Sequence, residues 1–164
     1  YSGIGSTSST PPDEYIVDHT RAKIGEGESV FRDAKAALQR WEQFELGWVT
    51  AYSTCTPIQS GQTVAILARA LGFWSLNACR IVYVVQEEER FGFAYGTLPD
   101  HVESGEERFI VEWNPADGAV FYDIVAFSRP NHWLARIGYP ITRRLQRRFA
   151  RDSVAAMKRA VNRP

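Results

Sequence analysis

The sequence predicts one α+β domain: an antiparallel sheet of six or seven strands with a long basic helix at its C-terminal end laid against it. Three observations lead there. One amphipathic helical stretch near the N-terminus gives way to segments of period two. The breaks between those segments are short and carry turn residues, so consecutive strands pair antiparallel rather than through long crossovers. The last segment is an amphipathic helix rich in arginine. A length of 164 residues fits a single domain able to bury a core without staples.

Residues 1–13, YSGIGSTSSTPPD, offer little to bury and read as an extended arm before a domain spanning 14–164. Glu14–Ile24 alternates loosely and is β-branched enough for a first strand. After the turn at Gly25–Gly27, the residues Val30, Phe31, Ala34, Leu38, Trp41 and Phe44 recur at helical spacing, which predicts a helix over about 28–45. Strands follow at Trp48–Cys55, Gln62–Leu71, Asn77–Gln86, Phe91–Leu98, Arg108–Asn114 and Ala119–Phe127. Between them lie Pro57 with Gly61, Gly72, the charge run Glu87–Arg90, Pro99–Gly105, and Pro115-Ala-Asp-Gly118. In the tail, Ile141, Leu145, Phe149, Met157, Ala160 and Val161 form an apolar stripe. Arg143, Arg144, Arg147, Arg148, Arg151, Lys158 and Arg159 sit largely off it. Pro140 either starts this helix or kinks a longer one from Asn131. The stripe has only the sheet to bury against. If the sheet curves, the space between its concave face and the helix is the natural place for a cavity.

Net charge is zero, but unevenly spread: Gln86–Asp123 holds ten acids against Arg90 and Arg108, and Ile124–Pro164 holds ten bases against Asp152. Either the basic helix packs near acidic strands, or it presents an anion-binding face. The five Trp, seven Tyr and nine Phe suit core packing first and a cavity lining second. Cys55 and Cys79 are too few for a disulfide scaffold and read as buried free thiols. The chain opens on Tyr1 with no basic-then-apolar leader and holds no run long enough to span a membrane, so a reducing cytoplasmic location is expected.

The strand–helix–six-strand–helix order resembles the helix-grip fold of START-like and birch-allergen-like proteins. The chain is further identified as similar to a bacterial and plant family, domain of unknown function nineteen-ninety. The residues that carry this are Tyr1, Gly3, Gly5 and Thr7; Cys79-Arg80-Ile81-Val82; Gly92-Phe93-Ala94-Tyr95-Gly96-Thr97-Leu98-Pro99; Glu103 with Gly105-Glu106-Glu107; Phe127-Ser128-Arg129-Pro130; and Arg143-Arg144-Leu145-Gln146. Where the family usually carries Pro after His101, this chain has Val102. The resemblance implies a curved antiparallel sheet gripping the C-terminal helix. For helix-grip proteins generally, it also implies a hydrophobic or amphipathic small molecule held between the two.

Candidate binding residues follow from the strands. Phe91, Phe93, Tyr95 and Thr97 share one face of a strand and Gly92, Ala94 and Gly96 the other. The bare face lets another backbone or a ligand approach, or marks a bulge. The loop 98–107 gathers His101, Glu103 and Glu106 among four carboxylates, which suits solvent exposure, ligand contact or acid–base work. Ser128 reads as a cap or a polar ligand contact. Arg129 either pairs with a glutamate of that loop or offers a guanidinium fork to a ligand, and Arg80 poses the same choice. His19, His101 and His132 are isolated, so no metal site and no cofactor is expected. A binding domain for a small, partly apolar ligand leads. The alternatives are an enzyme using the 98–107 loop, and a basic-helix module for anionic partners. Neutral total charge and the lack of interleaved stacking aromatics argue against nucleic acid. Oligomeric state is not encoded in these patterns.

Overall fold

A computed structural model describes residues 1–52, 54–99, 103–130 and 139–163. Seven strands run in the order β1 (Ile16–Glu26), β2 (Val49–Tyr52), β3 (Thr63–Ala70), β4 (Phe73–Gln86), β5 (Arg90–Thr97), β6 (Glu103–Trp113) and β7 (Ala119–Pro130). Helix α1 (Glu28–Gln39) links β1 to the strand that becomes the opposite edge, and α2 (Tyr139–Val161) closes the chain. The spatial order is β1-β7-β6-β5-β4-β3-β2, with every described pairing antiparallel. The sheet curls into a half-barrel of the helix-grip kind. Right-handed strand twist, summed over seven strands, bends such a sheet.

Both helices lie on the concave side. The core there joins Leu38, Trp41 and Phe44 to Ile81, Phe93, Phe109 and Tyr122 of the sheet and to Met157 and Val161 of α2. The C-terminal half of α2 therefore seals the core, and the hydroxyls of Ser153 and Tyr122 meet 2.9 Å apart inside it. Burial pushes the Tyr122 phenol well above its ordinary range.

The helix expected over 28–45 stops at Gln39. Trp41 takes a left-handed conformation, φ 62°, and Glu42–Phe44 forms a single 3-10 turn. That break drops the fully buried Trp41 ring into the core, its indole N–H donating to Thr56 O at 2.9 Å. Trp41 and Phe44 thus continue the helical spacing without continuing the helix. β6 begins at Glu103, so residues 103–107 are strand rather than loop. Cys55 and Cys79 are both free, but only Cys79 is buried.

The N-terminal residues depart from an extended arm. Ser6–Ser8 forms a 3-10 turn that folds back on the convex face. Tyr1 Oη donates to Glu106 Oε2 at 2.6 Å, and the backbone N–H groups of Gly5 and Thr7 donate to the same carboxylate at 2.7 and 3.0 Å. The Thr7 hydroxyl is a fourth donor. Gly96 is where the ring of Tyr1 crosses β5: a Cβ there would fall 2.1 Å from Tyr1 Oη. A largely polar segment is thus held by a buried carboxylate that needs donors, helped by the Tyr1 ring packing on Phe127 with centroids 6.0 Å apart. Replacing Glu106 with Gln is expected to cost about 1.5–3 kcal/mol in urea unfolding. Hydrogen exchange at the amides of Gly5 and Thr7 should accelerate more than in the core strands.

Ion pairs on the convex face hold a second buried carboxylate. Asp123 is held on the convex face by His19 Nε2 at 2.8 Å and Arg108 Nη2 at 2.8 Å, with Arg21 Nη1 at 3.5 Å. Arg108 also donates to Thr7 O at 2.8 Å, tying this cluster to the N-terminal turn. In helix α2, Arg143 pairs with Asp18 of β1, and Arg148 and Arg151 pair with Asp152 of the same helix; Arg163, just beyond the helix, pairs with Glu42.

Burial alone would raise the Asp123 carboxyl, but hydrogen bonds and charge from His19 and Arg108 bring it below its ordinary value. A carboxyl lowered on folding stabilises fully above its unfolded value, about 3.9, and loses that contribution as pH falls through the folded value. Stability should therefore drop below about pH 4. Asp123→Asn is expected to cost about 1–3 kcal/mol at neutral pH and to flatten that acid limb, as read from urea midpoints across pH 3–7.

Candidate functional site

The N-terminal half of α2 stands off the sheet, and a cavity of about 850 Å³ lies beneath it. Its floor takes Ile66 and Ala68 from β3, Cys79 from β4, Tyr95 and Thr97 from β5, and Ile124 and Ala126 from β7. Its roof takes Leu145, Phe149, Ala150 and Val154 from α2. Small residues on both surfaces (Ala68, Ala126, Ala150) keep the two layers from interdigitating, which is why a hollow persists here and not under Met157.

Three rings close the inner end. Phe44 meets Phe109 and Phe149 with centroids 5.5 Å apart in each case, and Phe109 meets Phe149 edge-on at 6.3 Å. At the mouth stands Trp48, its indole N–H donating to Asp152 Oδ2 at 3.0 Å and its ring covered by Arg148 at 4.4 Å. Burial works against ionisation of Asp152, yet hydrogen bonds from Trp48 and Arg151 hold its carboxyl below the ordinary value.

The exposed wall is mostly apolar by area, with polar side chains entering it from both edges of the sheet and from α2; one group of them is joined by hydrogen bonds. Tyr95 Oη donates to Glu107 Oε2 at 2.8 Å; the two residues are cross-strand partners. Burial, then the Glu107 charge, raises the Tyr95 phenol well above its ordinary range, so it stays a hydrogen-bond donor at any physiological pH. Thr97 Oγ1 accepts from the Gly105 amide at 3.1 Å. Gln146 Nε2 donates to Ser128 Oγ at 3.0 Å, bridging roof to floor. Arg143 reaches from α2 to Asp18, with Nη2 2.6 Å from Oδ1, and donates to Gln146 Oε1 at 2.7 Å. Burial, then the Glu107 charge, pushes the Cys79 thiol up to about 12. It therefore contributes apolar wall rather than a thiolate.

Among the residues the sequence singled out, Tyr95, Thr97 and Ser128 come together here. Glu106 borders the cavity, but its carboxylate is engaged by Tyr1, Gly5 and Thr7. Arg80 is exposed beside the inward-facing Cys79, on the other side of β4. Arg129 is the cross-strand neighbour of Ser104, and its guanidinium pairs with Glu14 at 3.8 Å and lies 4.9 Å over the Tyr15 ring. His101 and the Glu103 side chain lie outside the described residues. Glu107 and Gln146 were not singled out. The alternation counted back from Phe109 puts Glu107 inward.

The family model described as "Domain of unknown function (DUF1990)" matches residues 1–156. A UPF0548 protein of Dictyostelium discoideum is 44% identical over 158 residues, covering 90% of this chain and 73% of the relative. Among solved structures, human STARD10 aligns at a TM-score of 0.56 with 8% identity, over 87% of this chain and 63% of its own. Ara h 8.0201 aligns at 0.52 with 8% identity, over 87% and 97%. These likenesses carry the START-like and birch-allergen-like fold alone.

Proposed function

We propose, for a chain that belongs to the family described as "Domain of unknown function (DUF1990)", that it binds a small hydrophobic or amphipathic molecule between the sheet and α2. The observation that carries this is the cavity of about 850 Å³, within the roughly 300–1,000 Å³ common for small-molecule sites. A wall mostly apolar by area, with a hydrogen-bonded polar group on it, suits a molecule whose chain lies along Ile66, Ile124 and Phe149 and whose head meets Tyr95, Thr97 and Ser128. Glu107 and Gln146 complete that head site. Two free thiols suit the reducing compartment expected for such a protein.

Native mass spectrometry of protein purified from its own host tests the reading. A co-purified mass that disappears on organic extraction is expected. Protein that carries no such mass and also fails to retain added dodecanoate would overturn it.

A further inference from the structure

The β3–β4 hairpin ends in an unusual surface. Its turn closes over Leu71, at φ 52°, and Gly72, at φ 85°. Four large apolar side chains then stand in water within six residues: Leu71 75% exposed, Phe73 80%, Trp74 60% and Leu76 66%. Hairpin tips are ordinarily polar, and apolar exposure on this scale marks a contact surface.

Its surroundings are cationic. Arg69 faces Trp74 across the ladder, its guanidinium 5.8 Å from the ring. A groove joins Trp74 to Trp48, and Arg148 covers Trp48 at 4.4 Å. Arg144, Arg147, Arg148 and Arg151 are all exposed and recur at the i, i+3, i+4, i+7 spacing of one helix face. Glu45 lines the groove and Asp152 bonds to Trp48, so these five arginines outnumber the two acids beside them. Exposed aromatic and aliphatic residues ringed by arginine match the boundary of an anionic bilayer, where rings sit at headgroup depth and guanidiniums meet phosphates. A second copy of the chain fits less well, because a two-fold contact would set this arginine face against itself.

We infer that the β3–β4 hairpin and the arginine face of α2 dock the protein onto the surface of an anionic lipid bilayer. Ala70, Ser75, Arg147 and Arg151 of this region also line the cavity. Docking therefore brings the cavity mouth to the headgroups, where an apolar molecule passes between bilayer and cavity without crossing water. The docking surface goes beyond the ligand reading and is testable without it.

Flotation of the full chain with vesicles is the test. Vesicles of phosphatidylcholine mixed with phosphatidylserine should carry the protein at low salt and lose most of it at about 0.5 M salt. Pure phosphatidylcholine should carry little. The double variant Phe73→Ser, Trp74→Ser, and separately Arg144→Glu, should each weaken partition about tenfold or more, since an interfacial anchor needs both the apolar and the cationic signal. Both variants should keep the wild-type thermal midpoint and bind dodecanoate in solution as before, which separates failure of docking from failure of the cavity reading. Three results would overturn the inference. One is absence of flotation with either vesicle. Another is flotation indifferent to the hairpin variant. The third is a dimer in sedimentation equilibrium that the hairpin variant dissolves, without vesicle binding.

Discussion

Ala126→Phe is expected to reduce binding of a fatty acid such as dodecanoate by about a hundredfold or more, while leaving the fold intact. Ala126 lies on the inward face of β7, beside Ile124 and Ser128, and lines the cavity floor. A phenyl group placed there rises toward Leu145 and Phe149 into the volume a ligand chain needs. Overpacking a filled core costs about 1–3 kcal/mol, but here the ring enters the cavity rather than packed neighbours. The thermal midpoint should stay near the wild-type value. Ala150→Phe, entering from the roof, should do the same. Isothermal titration gives the affinity and a thermal melt gives the control. Undiminished binding in both variants would place the ligand elsewhere.

Phe109→Ala should be the most damaging core substitution, costing about 3–5 kcal/mol. Phe109 is fully buried at the centre of the sheet. Its ring meets Phe44, Phe93 and Tyr95 at 5.5–5.6 Å, and Phe149 of α2 at 6.3 Å. It thus joins the 3-10 turn after α1, the sheet floor and the helix roof, and its loss opens a hole that backbone on three sides resists closing. Urea unfolding should show the midpoint shift. Ligand affinity should fall as well, because the inner wall of the cavity rests on the same ring. A variant as stable as the wild type would mean the aromatic cluster is not the hinge between core and cavity.

Local pattern carried most of the fold and part of the cavity lining. Period-two alternation marks all seven strands, although β4 starts at Phe73 and β6 at Glu103, ahead of where the pattern begins them, and the stripe Phe149, Met157, Val161 turns α2 toward the sheet. Tyr95 and Thr97 were legible because an alternating strand has only two faces. The same rule extends to β6 only once 103–107 is seen to be strand: the Pro99 and Gly105 turn signals mask its parity, and one residue of offset moves the inward carboxylate from Glu107 to Glu106. Arg129 illustrates a different limit. Its partners Glu14 and Tyr15 lie about a hundred residues away in sequence or more, as Tyr1 and Thr7 do from Glu106. Such long-range contacts leave no local periodicity to read. Phe73, Trp74 and Leu76 show the converse. Their alternation is that of any strand, so nothing local distinguishes residues facing water from residues facing a core.

The central claim is that α2 roofs a cavity that holds an apolar ligand against the concave face. Amide chemical shifts recorded during titration with dodecanoate test it most directly. The expected shifts fall on Ile66 and Ala68 of β3, Ile124 and Ala126 of β7, and Phe149 and Ala150 of α2, saturating together with one affinity. Shifts confined to convex-face residues such as Arg80 and Arg129, or no saturable shifts at all, would contradict it.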